Sequence, residues 1–76
     1  MSYPRIEVKW LDSCHHQGWH EISETKNYHP AHCRSTGYLI RNDDKEILMA
    51  MNLQSTNAGD FMSIPKCAIK EMKELK

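Results

Sequence analysis

The sequence predicts a mostly β, single-domain protein, and three features carry that expectation. Residues 5–11 alternate apolar and polar with a period of two, an Asn-Asp-Asp turn separates two extended apolar segments further on, and a length of 76 residues holds one domain, residues 1–76, and no more. A chain this short hides only about 60% of the surface that its unfolded form exposes, so its stability margin is thin. Self-association is one remedy.

The first element is a strand over Arg5–Leu11, RIEVKWL, with Ile6, Val8 and Trp10 on one side and Arg5, Glu7 and Lys9 on the other. SCHHQG, residues 13–18, then reads as a hairpin loop, and Trp19–Ile22, which holds an aromatic and a β-branched residue, as the return strand. Ser23–Lys26 suits a short helical turn capped by Ser23, but proline restricts its predecessor, so His29-Pro30 stops a helix there and the segment is a connection. An extended segment over Cys33–Arg41, a turn over Asn42–Lys45 and a second extended segment over Glu46–Leu53 form the clearest hairpin of the chain. In its second arm Ile47, Met49, Met51 and Leu53 make one wholly apolar face while Glu46, Leu48, Ala50 and Asn52 make a face only partly polar, so both faces want cover. Gln54–Asp60 is polar, carries Gly59 and reads as a loop; Phe61–Ile64 is a short strand ended by Pro65. The tail admits two readings. Ile69, Met72 and Leu75 stand at helical spacing, whereas a tight turn at Pro65–Ala68 followed by a last strand fits the same residues.

Ten Lys and Arg balance ten Asp and Glu, so the basic surplus of a dedicated nucleic-acid coat is missing and that function is disfavoured. Lys66, Lys70, Lys73 and Lys76 do cluster, but Glu71 and Glu74 interrupt them, as on a solvated charged face. Three cysteines cannot all pair within the chain and no apolar leader precedes them, so a reducing cytoplasm is the expected setting. The longest apolar run, Ile47–Met51, falls far short of the roughly 20 residues that a membrane helix needs. A soluble protein follows, with no membrane partner.

Ile64-Pro65-Lys66-Cys67-Ala68-Ile69, placed after two hairpins and before a short closing segment, resembles the end of small five-stranded barrels of the Sm-like or Src-homology type. The resemblance implies such a barrel, with one helical turn between the last two strands, and so favours a closing strand over a helix. The layout KWLDS, GW, TGYLI, acidic turn, IPKCAI is also similar to short proteins encoded by bacteriophages and prophages. That similarity implies an anti-defence or host-takeover role in the host cytoplasm, by sequestering a host protein or a nucleotide signal.

Three of the five histidines and one cysteine crowd into Ser13–His20. Zinc takes four converging donors, and Cys14 and His16 with His32 and Cys33 make a sterically conceivable set, although the spacing matches no familiar zinc pattern. A structural zinc would add folding energy to a thin core and make the chain a metal-stabilised interaction module. Against it, a lone cysteine is more often a small buried hydrophobe, and loop histidines often do no more than titrate near neutrality.

An enzyme is not expected. Cys14 beside His15 and Cys33 beside His32 meet the Cys-His requirement only in sequence, since neighbours in an extended segment face opposite ways, and the three glycines stand too far apart to cradle a phosphate. Trp10 belongs to the core stripe. Trp19 follows a glycine among polar residues, and with Arg34 or Arg41 it makes a stack and a cation for a nucleotide; Tyr38 joins Trp19, Arg34 and Arg41 as a candidate contact. The expected function is a non-catalytic, self-associating binder of a small nucleotide or a host protein, with single-stranded nucleic acid as a further alternative.

Overall fold

The computed structural model describes residues 3–13 and 17–76. Arg5–Asp12 form β1, Ala31–Asn42 β2, Glu46–Leu53 β3, Ala58–Pro65 β4 and Ile69–Leu75 β5. All pairings are antiparallel, and the five strands make one sheet in the order β4-β3-β2-β1-β5. No helix among the described residues is long and apolar enough to cross a membrane.

The core explains the shape of that sheet. Ile6 and Val8 of β1 pack with Ile47 and Met49 of β3 and Ile64 of β4, although β1 and β3 are not neighbours in the sheet. The sheet must therefore curl about β2. It does so because β2 divides its length, pairing residues 31–38 with β1 and residues 38–42 with β3. Gly37 stands just before the changeover, where a Cβ would lie 2.6 Å from the backbone oxygen of Ala50. Only glycine lets the third strand's backbone come that close. Trp10 seals one side, its indole Nε1 donating to Ser35 Oγ at 3.0 Å. Ser35→Ala is expected to lower stability by about 1 kcal/mol by orphaning that half-buried donor, read as an earlier urea midpoint.

The sheet curls without closing. Among the described residues β4 pairs only with β3 and β5 only with β1, which corrects the expectation of a closed barrel. The helical turn expected between the last two strands is present, Lys66–Ala68 forming a single 3-10 turn whose Lys66 N–H is held by the Lys45 carbonyl at 2.8 Å, but beyond it β5 lies along β1 while β4 lies along β3, so the two strands stand at opposite edges of the sheet and no ladder joins them.

Trp19–Ile22 is not a strand. The partner of β1 is β2, and Ile22–Thr25 form one helical turn, α1, with Glu21 rather than Ser23 at its N-cap. Trp19 and Ile22 are three residues apart, so an extended chain would put them on opposite faces, whereas twelve residues of β2 offer β1 a full-length partner. Residues 17–30 are all exposed, and the molecule is drawn out to 52 × 22 × 22 Å with a radius of gyration of 15.6 Å, against about 11 Å for a compact domain of this length. The loop expected over Gln54–Asp60 is shorter than that, since β4 already begins at Ala58.

The tail is a strand, as the resemblance favoured, and its helical spacing has a structural cause. The register slips between Lys9 and Trp10, so that Glu71 faces Lys9, Ile69 faces Trp10, and Lys70 is the extra residue of a bulge. One inserted residue flips the parity. Ile69 and Met72 thereby share a face with Trp10 and Val8 despite being three apart. On the other face the charges of the tail meet their opposites on β1, Lys9 Nζ lying 3.7 Å from Glu71 Oε2 and Lys73 Nζ 3.8 Å from Glu7 Oε1.

The turn between β2 and β3 is organised by Asp43, whose Oδ1 accepts the backbone N–H of Lys45 at 2.9 Å and of Glu46 at 3.0 Å. Those two N–H groups, ahead of the Arg41 and Lys66 charges, hold its carboxyl below the ordinary value of 3.8. A depressed carboxyl contributes stability that is present above the unfolded value and lost as pH falls through the folded one. Asp43→Ala is therefore expected to melt below the parent at neutral pH, with the gap narrowing below pH 3.8 in thermal scans at stepped pH.

Candidate ligand-binding cleft

Three strands run side by side as far as Trp10 and Ile69, and beyond that point β1 and β2 continue alone as a two-stranded ribbon ending at Asp12 and Ala31. A cleft of about 430 Å³ opens there, lined by Lys9, Trp10, His32, Cys33, Arg34 and Lys70. The bulge places Lys70 beside it. Trp10 faces Cys33 across the strands on the inner side, while Lys9 and Arg34 face each other on the outer side, so the cleft wraps around the beginning of β5.

The hydrogen-bond phase of β1 and β2 sharpens the charge arrangement. Leu39 N–H donates to the Pro4 carbonyl at 2.9 Å, so the odd-numbered residues of β2 exchange bonds with β1 and the even-numbered ones do not. Lys9 and Arg34 are thus a non-bonded pair, with Cα atoms about 4.5 Å apart, the closer of the two spacings. Like charges directly opposite each other are destabilising. Glu71 offsets one of them through Lys9, but among the described residues neither Arg34 nor Lys70 has an ion pair.

Of the four residues expected to hold a nucleotide, the structure brings only Arg34 to this cleft. Trp19 is fully exposed in the segment between β1 and β2, beside His20, whose ring meets Tyr28 edge-on at 6.1 Å. Tyr38 lies past the bend at Gly37, paired with Arg5 and Ala50. Arg41 is engaged at the turn, its Nε 3.2 Å from Asp43 Oδ2 and its Nη2 3.4 Å from Glu46 Oε2.

Of the expected metal ligands, Cys14 and His16 lie outside the described residues. His32 and Cys33 do line the cleft, but as strand neighbours they face opposite ways, and Cys33 Sγ contacts the Ala31 carbonyl at 3.8 Å. Among the described residues no group of three or more His, Cys, Asp and Glu converges.

Lys9, Trp10 and Lys70 escaped the reading of the sequence. Trp10 fitted the core stripe and both lysines fitted a solvated face, and a bulge leaves no mark in the alternation that would single out Lys70. No protein-family model, curated protein or solved structure matches the chain.

Proposed function

We propose that this protein is a non-catalytic binder of a small nucleotide, seated in the cleft at the start of β5. One observation carries the reading: Lys9 and Arg34 stand directly opposed, with Lys70 and the half-buried Trp10 lining the same cleft. A phosphate between the two cations converts their repulsion into charge-assisted hydrogen bonds, the Arg34 guanidinium offering its planar fork and the lysines their point charges. The base then has an indole to lie against. His32 and Cys33 face opposite ways, so the cleft holds no base poised on a nucleophile, which supports retention without turnover. Retention of a nucleotide signal is sequestration, the mode implied by the resemblance to phage proteins. Self-association belongs to the same reading, because the buried core is small, β4 and β5 are open edges, and Phe61 is 65% exposed on β4.

The test is a thermal-shift screen of cyclic and linear nucleotides. A ligand at a hundred times its Kd adds about 2.7 kcal/mol to the folded state. Arg34→Glu is expected to weaken binding about a hundredfold, through loss of charge-assisted bonds of about 1.5–3 kcal/mol. Its own melting temperature should match or exceed that of the parent, because Lys9 then faces a carboxylate. A flat screen with the parent protein, or an unchanged affinity in Arg34→Glu, would overturn the proposal.

A further inference from the structure

β2 is an interior strand of the sheet, yet residues 31–37 have a strand on one side only, because β3 leaves β2 after Tyr38 pairs with Ala50. The phase set by the Leu39–Pro4 bond decides which backbone groups face the vacant side. The odd-numbered residues of this stretch bond to β1, so the N–H and C=O of His32, Arg34 and Thr36 point the other way. Among the described residues no strand, turn or side chain bonds to them. Three donors and three acceptors in one row form a template for another strand.

We infer that this free stretch of β2 edge, from His32 to Thr36, takes up an extended peptide segment carrying acidic side chains at alternate positions. Backbone pairing supplies the affinity in such strand addition, and the side chains on one face supply the choice of partner. Here that face belongs to the same even-numbered residues. His32, Arg34 and Thr36 are all exposed, and Lys9 rises beside Arg34. A peptide residue set opposite Arg34 lies on the same face, so a carboxylate there gives Arg34 the ion pair that it lacks, while a cation would be a third like charge in one row. The backbone edge carries the inference without the nucleotide reading, while its acidic preference draws on Arg34, which a bound phosphate would also engage, so the exchange experiment is run without nucleotide.

Amide hydrogen exchange on the full chain tests it, using as probe a blocked hexapeptide alternating valine and glutamate, at millimolar concentration, against its valine–lysine counterpart. In the free protein the amides of His32, Arg34 and Thr36 exchange fast while those of Cys33 and Ser35 are protected; the glutamate peptide slows the first three by about tenfold or more and the lysine peptide does not. Thr36→Pro removes one outward donor and none of the bonds to β1, a change that an edge position tolerates, so it abolishes the peptide effect and leaves any nucleotide-induced thermal shift unchanged. Should that variant fail to fold, the parent's exchange pattern decides alone. Slow exchange of the three amides in the free protein, no protection by the glutamate peptide, or equal protection by both peptides would overturn the inference. So would protection that grows with protein concentration without peptide, which would give the edge to a second copy.

Discussion

Ile47→Ala is expected to lower the unfolding free energy by about 4 kcal/mol, within the range for truncating a fully buried isoleucine. Ile47 is 0% exposed and belongs to the one cluster that ties β1 to β3 and β4 across the curl, so its removal leaves a cavity where the two arms of the sheet meet. A domain of 76 residues has about 4–11 kcal/mol in total, so the variant is expected to lie close to unfolding at 37 °C. Urea titration followed by far-ultraviolet circular dichroism measures this as a large drop in midpoint with an unchanged slope. Phe61→Ala is the matched control. Its ring is 65% exposed, and the loss should stay within about 0.5 kcal/mol. Similar losses at both positions would mean that the core is not where the curled sheet places it.

Gly37→Ala is expected to cost about 3 kcal/mol, the upper end for overpacking, because the obstacle is main chain. The added methyl would stand 2.6 Å from the Ala50 carbonyl oxygen, 3.0 Å from the Met51 methyl and 3.1 Å from the Met49 methyl. The methionine methyls can swing aside, but the carbonyl moves only with β3. Removing a glycine stabilises by about 0.4–1 kcal/mol through the unfolded chain, too little to offset this. Gly59→Ala separates the two effects, since its new methyl meets nothing nearer than Asn52 Cβ at 3.5 Å, an ordinary contact. Thermal melts of the pair should show a large drop for Gly37→Ala and little change for Gly59→Ala. Equal behaviour would mean that β2 does not bend at Gly37.

Both variants probe features that differ in how far they could be read in advance. The apolar alternation of β1 and β3 names Ile6, Val8, Ile47 and Met49 as inward-facing, and all four are buried. The Asn-Asp-Asp turn names the hairpin of β2 and β3, because Asp43 satisfies two backbone donors locally, whatever the rest of the chain does. Trp19–Ile22 misled for the converse reason. An aromatic and a β-branched residue signal strand propensity, but a strand also needs a partner edge, and β2 took the only edge of β1 that it could have used once β5 held the other.

The candidate cleft was still less legible. Arg34, His32 and Cys33 were in view as functional residues, yet nothing along the chain joined them to Lys9, Trp10 and Lys70. That union depends on the register of β1 against β2, which sets Lys9 across from Arg34, and on the bulge that turns Lys70 toward them.

Local pattern settles the β class, the stripes that face inward and the hairpin at Asp43, because period-two alternation and turn chemistry act between residues close in the chain. That β5 lies against β1, that the sheet curls at Gly37 and stays open, and that three cations meet at one cleft are outcomes of the folded chain as a whole. Those outcomes come from competition between strand pairings far apart in sequence. That competition is resolved by which pairing buries Ile6, Val8, Ile47, Met49 and Ile64 together, a quantity that exists only once the chain has folded.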